Sequence, residues 1–185
     1  MTTHYCSWEL GGVALGLLDE PLAAVYKKLK NRSYEGWLLE GRARFGNTNL
    51  EKTRVLKTLI KLIKAQKASG ILIDTNISQR EGVVVEFMGK PIRQTSTPAY
   101  LARKYGAAIV PVSISTQDEE HYTLKIHDEI VVDHTEDETA DIHKATQAQA
   151  DWLSQLIKDE PKFWFWLHRR WKNDAPEIYK KEQSS

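Results

Sequence analysis

Two stretches, residues 70–74 (GILID) and 107–115 (AAIVPVSIS), are nearly unbroken runs of Ile, Val and Leu. They set the tightest limit on the fold. A strand with one wet face alternates apolar and polar residues, whereas a run without alternation needs cover on both faces. Residues 82–87 (GVVVEF) form a third run, and residues 122–132 (YTLKIHDEIVV) a fourth that alternates, as an edge or half-exposed strand does. Helical patterns separate them: residues 21–31 open with a proline, residues 53–70 carry Val55, Leu56, Leu59, Ile60 and Ile63 on one face, and residues 96–106 run from cap-forming residues to a glycine. A longer helix is predicted over 138–158, with Ala145, Ala148, Trp152, Leu153 and Leu156 as its buried stripe. The expected fold class is α/β, with a mixed, largely parallel sheet flanked by helices.

The chain has 185 residues, enough for one domain with a substantial core, and no internal linker is visible. With 41% hydrophobic and 28% charged residues it reads as globular. Its net charge of +1 names no partner, but the distribution is uneven: residues 52–67 hold six Lys or Arg and no acid, and residues 133–141 hold five acids and no Lys or Arg. Cys6 is the single cysteine, which excludes an internal disulfide and does not support a Cys/His zinc site. No run reaches the ~20 apolar residues of a membrane-spanning helix, and no signal peptide is visible.

Residues 4–9 (HYCSWE) place His4 five residues before Glu9. On one continuous helix that offset is roughly 140° around the axis, so the side chains would diverge. They converge only if an extended segment ends near His4 and a helix begins near Ser7, a competent N-cap. A carboxylate holding one imidazole nitrogen leaves the other basic, ready to take a proton from a hydroxyl.

The block HYCSWELGGVALG resembles the His-x-x-x-x-Asp/Glu block of the lipid A biosynthesis acyltransferases, within the glycerolipid acyltransferase superfamily, with Ser7 where Asn is usual. Further similarities follow in order: LLEGRARFGN with Arg44 two residues before Gly46, GILIDTNISQREGVVVEFMGKP, TPAYLARKYGAAIVPV, and PKFWFWLHRRWK with Phe163 in a position usually held by glutamine. The resemblance implies a glycerol-3-phosphate acyltransferase-like sandwich, an acyltransferase domain over residues 1–173 and a polar tail over 174–185. It also implies a chain lacking an N-terminal anchor and first strand, and therefore weak or no turnover in isolation.

That family moves an acyl chain from acyl carrier protein to a hydroxyl of a lipid A precursor without a metal or bound cofactor. By this resemblance His4 is the general base and Glu9 its orienting partner. Arg44, and Arg42 as a weaker candidate, would hold a substrate phosphate or the oxyanion. Asp74 ends a buried-type strand, where α/β proteins place functional groups, and serves either substrate binding or a turn cap. The family has Asp-Gln where this chain has Asp74-Thr75. Thr97 reads as a helix N-cap, His168 as structural and Cys6 as a small buried thiol. The cations of residues 53–68 form either a solvated face or a docking surface for acyl carrier protein or anionic lipid. The Trp- and Arg-rich residues 164–172 read as a terminal packing element, a nucleic-acid surface or a membrane surface, and the resemblance implies the last of these, at the cytoplasmic face of the bacterial inner membrane. Two alternatives stay open: an acyltransferase for another glycolipid or a lysophospholipid, and a non-catalytic module that binds membranes or polyanions.

Overall fold

The computed structural model of the chain describes residues 1–18, 21–78 and 81–179. The elements run α1 (Trp8–Leu17), β1 (Ala23–Tyr26), α2 (Arg32–Ala43), β2 (Thr48–Glu51), α3 (Leu56–Lys64), β3 (Ser69–Gly70), β4 (Val83–Phe87), β5 (Lys90–Gln94), α4 (Thr97–Tyr105), β6 (Val112–Thr116), β7 (Tyr122–Ile126) and α5 (Glu138–Asp159), followed by 3-10 turns at Pro161–Phe163 and Pro176–Tyr179. The expected α/β mixture is present. Its sheet is divided into a parallel three-stranded unit, β2-β1-β3, and two antiparallel pairs, β4-β5 and β6-β7.

The first residues stitch these pieces together. Thr2 bridges Leu72 in parallel, with Thr2 N donating to Ile71 O at 3.0 Å and Ile73 N to Thr2 O at 3.1 Å. On the other flank Val112 N donates to Met1 O at 2.9 Å. Residues 1–3 therefore lie between the extension of β3 and the start of β6. Further along, Tyr5 bridges Trp164 in the antiparallel sense. The strand period of two sends Tyr5 into the core while His4 faces the other way.

That core sits between the β4-β5 hairpin and α5, where Tyr5, Val85, Phe87, Ile92, Ala150, Leu153, Ile157 and Trp164 are buried together. Gly82 lets the chain enter β4 close beside the end of β5. Its φ is +68°, and a Cβ there would lie 2.1 Å from Gln94 O. On the opposite side Gly16 lets α1 press onto Phe45, whose carbonyl oxygen would lie 2.4 Å from an added Cβ.

Several predicted elements change. Residues 21–31 are not a helix: residues 23–26 form β1, which pairs with both β2 and β3, so tertiary pairing overrides a helix-compatible composition. The helix predicted over 53–70 is shorter, and the strand predicted over 70–74 is hydrogen-bonded to its neighbours only in part. Helix α2 and strand β5 carried no recognised pattern. α4 and α5 match their predicted spans closely, and Gly106 ends α4 with φ +69°. Of the predicted α5 stripe, Ala145 and Leu153 are buried, while Trp152 and Leu156 pack against the core from partial exposure. In the segment predicted as a polar tail, Ala175 is buried and the Tyr179 hydroxyl accepts from Trp171 N at 3.1 Å. Residues 180–185 of that tail lie outside the described residues.

Candidate active site

The parallel register of Thr2 with Leu72 brings a second pair level two residues later: His4 and Asp74, at the ends of neighbouring extended segments. The contact is close. Asp74 Oδ1 lies 2.8 Å from His4 Nδ1, and Asp74 Oδ2 accepts from His4 N at 2.9 Å and from Trp164 Nε1 at 3.1 Å. Asp74 is 3% exposed, so each of these bonds is shielded from water. Burial pushes its carboxyl up, but the hydrogen bonds and proximity of His4 outweigh it and hold the group at about 2. An ionised carboxylate can only accept, so Nδ1 carries the proton and Nε2 keeps its lone pair. The imidazole is walled by Trp8, 4.8 Å away edge-on, and by Phe165 at 6.3 Å.

The structure brings Asp74, not Glu9, to the imidazole. Glu9 lies in the first turn of α1, past the extended segment that carries His4, and its carboxylate is taken by Arg42 from the last turn of α2. Arg42 Nε donates to Glu9 Oε2 at 2.8 Å, and Nη2 donates to Oε1. This two-pronged pair ties α1 to α2 at the cavity wall and occupies the guanidinium fork expected to hold substrate. Arg44 is exposed at the C-cap of α2 and lies away from the cavity. Thr97 does not cap α4 with its side chain. Its backbone N donates to Thr95 Oγ1 at 3.3 Å, so the capping oxygen belongs to Thr95. Cys6 is half-buried against the core.

His4 lies on the wall of a half-open cavity of about 1030 Å³ lined by residues of α1, α2, α3 and the sheet. The lining is mostly apolar, including Val13, Leu15, Leu39, Leu59, Ile71 and Ile114, with Glu9, Arg42, Lys27, Lys52 and Lys67 among its polar groups. That volume is at the upper end of small-molecule pockets, roughly 300–1,000 Å³, and suits a long hydrocarbon chain.

The C-terminal segment supports the pair from behind. Phe165 N donates to His4 O at 3.0 Å and Cys6 N to Phe163 O at 2.8 Å. Arg170, 1% exposed, donates from Nη1 to Thr75 O at 2.7 Å and from Nη2 to Gln94 Oε1 at 2.6 Å, fixing the turn after Asp74. Burial lowers its guanidinium to about 10, so it remains charged at neutral pH. His168 Nε2 accepts from Asn76 N at 2.7 Å, and burial pushes this imidazole down toward the neutral form that the bond requires.

A profile of the bacterial lipid A biosynthesis acyltransferases matches residues 1–173. The chain belongs to that family. It is also similar to a phosphatidylinositol mannoside acyltransferase of Mycolicibacterium smegmatis, 26% identical over 172 residues that cover 91% of this chain and 54% of the relative. A protein of the same description from Mycobacterium tuberculosis is 25% identical over 178 residues, 94% of this chain and 54% of its own length. The chain thus spans about half the length of the curated relatives it matches. Within the sequence His4 is marked by its block, whereas the contacts of Trp164 and Arg170 carry no such mark, because tryptophan and arginine in an aromatic basic tail first suggest a surface. The readable signal for Asp74 was its place at the end of a strand parallel to the one that delivers His4.

Proposed function

We propose that the chain carries the catalytic centre of an O-acyltransferase that moves a fatty acyl group from a thioester to a hydroxyl of a phosphoglycolipid. The observation that carries this reading is the His4–Asp74 pair, set on the wall of an apolar cavity large enough for the acyl chain. His4 Nε2 takes the proton of the acceptor hydroxyl, and the oxygen attacks the thioester carbonyl. Collapse of the tetrahedral adduct forms the ester and breaks the C–S bond, and the imidazolium returns its proton to the departing thiolate. Asp74 holds the imidazole in the tautomer this requires.

The donor is acyl carrier protein, whose acidic surface fits the exposed Lys57, Lys61 and Lys64 of α3. The acceptor is a lipid A precursor, as the family's description suggests, or a phosphatidylinositol mannoside, as the relatives' names suggest; both offer hydroxyls on a phosphorylated glycolipid. The site of action is the cytoplasmic face of the inner membrane. Among the described residues no helix is long and apolar enough to cross a membrane. Contact with the bilayer falls instead to exposed Phe165, Trp166 and Leu167, of which Phe165 adjoins His4, and which stand among Lys162, Arg169 and Lys172 in the chain.

The test is single-turnover transfer from acyl-carrier-protein thioesters to each acceptor in detergent micelles. Transfer by the chain that is lost in His4→Ala supports the reading. Equal transfer by both proteins, or none by either when the same residues are assayed within a protein of the relatives' full length, would overturn it.

A further inference from the structure

Trp164 is 4% exposed, yet its indole N–H is not buried for packing alone: it points at Asp74 Oδ2 from 3.1 Å. The ring is held on several sides. Phe87 lies 5.7 Å from it edge-on and Trp166 4.7 Å away, while the bridge to Tyr5 fixes its backbone beside the strand that bears His4. One short segment therefore sets both members of the pair: its backbone receives His4 through Phe165 N, and its side chain holds the carboxylate.

The carboxylate's acceptor sites divide by function. Oδ1 faces the imidazole, and Oδ2 takes two neutral donors, His4 N and Trp164 Nε1, with the buried Thr3 hydroxyl a further neighbour of the carboxylate. Because the indole cannot ionise, it withdraws electron density from Asp74 without neutralising it. It also blocks rotation of the carboxylate, which would break the indole bond. We propose that Trp164 is a positioning residue for proton transfer: its N–H locks Asp74 with Oδ1 toward the imidazole and tempers the pull of the carboxylate on the His4 proton. The inference rests on the acyltransferase reading for its link to turnover, but the hydrogen-bond relay itself can be read without turnover.

Other ionisable groups surround the pair. His168 and Arg170 come from the same segment, Asp174 pairs with Arg93 and favours the charge on Arg170, and Glu9 of α1 is committed to Arg42. Each is unchanged by replacing Trp164 with Phe, so a shift in that variant reports the lost N–H.

The first measurement is made on the unaltered chain. The Trp164 indole resonance, followed by ¹⁵N–¹H NMR, is expected to move with the same midpoint as the His4 ring. An indole resonance that stays fixed across the His4 titration overturns the relay. The second measurement compares Trp164→Phe with Trp152→Phe, a partly buried tryptophan of α5 whose indole N–H has no partner among the described residues. Trp164→Phe is expected to move the acid limb of the rate–pH profile upward by about 0.5 pH unit, the scale of one hydrogen bond acting on a charged partner. Trp152→Phe is expected to leave that limb in place. An unmoved or lowered limb in Trp164→Phe would make Trp164 a packing residue only. Absence of transfer in all forms, with the indole still titrating with His4, would remove the acyltransferase reading and leave the relay standing.

Discussion

Replacing Asp74 with Asn separates charge from shape at the centre of the site. The side chain keeps its size, but an amide must choose which end is oxygen. Two N–H donors, His4 N and Trp164 Nε1, converge on the Oδ2 position, so the amide oxygen settles there. The NH₂ then faces His4 Nδ1 and donates to it, which forces the imidazole proton onto Nε2 and removes the lone pair that the proposed base would use. The wrong tautomer costs turnover on the order of 10⁴-fold, the scale seen when the same change is made in serine proteases. Stability falls as well. A carboxyl held at about 2 rather than 3.8 contributes about 2 kcal/mol at neutral pH. Because the folded-state value is depressed, that contribution is complete above about pH 4 and is lost as pH falls through about 2. Urea unfolding at pH 7 is expected to put the variant's midpoint about 1 M below that of the parent. The gap should hold down to about pH 4 and close toward pH 2, since only the parent has a carboxylate to protonate. A variant as stable as the parent at pH 7, with transfer within tenfold, would refute the assignment of Asp74 as the imidazole's partner.

Two further changes test the cavity and the clamp. Gly12 lies on the cavity wall in α1 with no atom within 4 Å of where its Cβ would be, so Gly12→Leu is expected to fill space without strain and to favour the helix by up to about 1 kcal/mol. Each methylene it denies burial costs about 0.8 kcal/mol, roughly fourfold in kcat/KM, so acyl thioesters of graded length should show preference moving to shorter chains; an unchanged profile would place the acyl chain elsewhere. Arg170→Met leaves Thr75 O and the buried Gln94 Oε1 without their donor, a loss of about 2–3 kcal/mol. A melting temperature lowered by roughly 5–10 °C is the expected reading; Lys, which lacks the planar fork, should not restore it.

How far the residues alone led follows from which interactions are local. α4 and α5 were legible because their caps, terminal glycine or acids and apolar period all lie within the helix itself. β1 was not, because what makes residues 23–26 a strand is the company of β2 and β3, which lie about 25 and 46 residues further along. The site divides in the same way. His4 and Glu9 are paired by the family block they resemble, which sets them five residues apart. Proximity in sequence is the wrong measure at a strand–helix junction: the chain turns at Ser7, so Glu9 starts a helix that leans on α2 and meets Arg42. The imidazole's partner is instead set by register across two parallel segments, a relation between residues 70 apart. The sequence had placed His4 and Asp74 each at the end of an extended run. Had those runs been paired with one another, the matching ends would have put the carboxylate against the imidazole, and the Trp164 N–H behind it would have gained a purpose that aromatic composition alone cannot give.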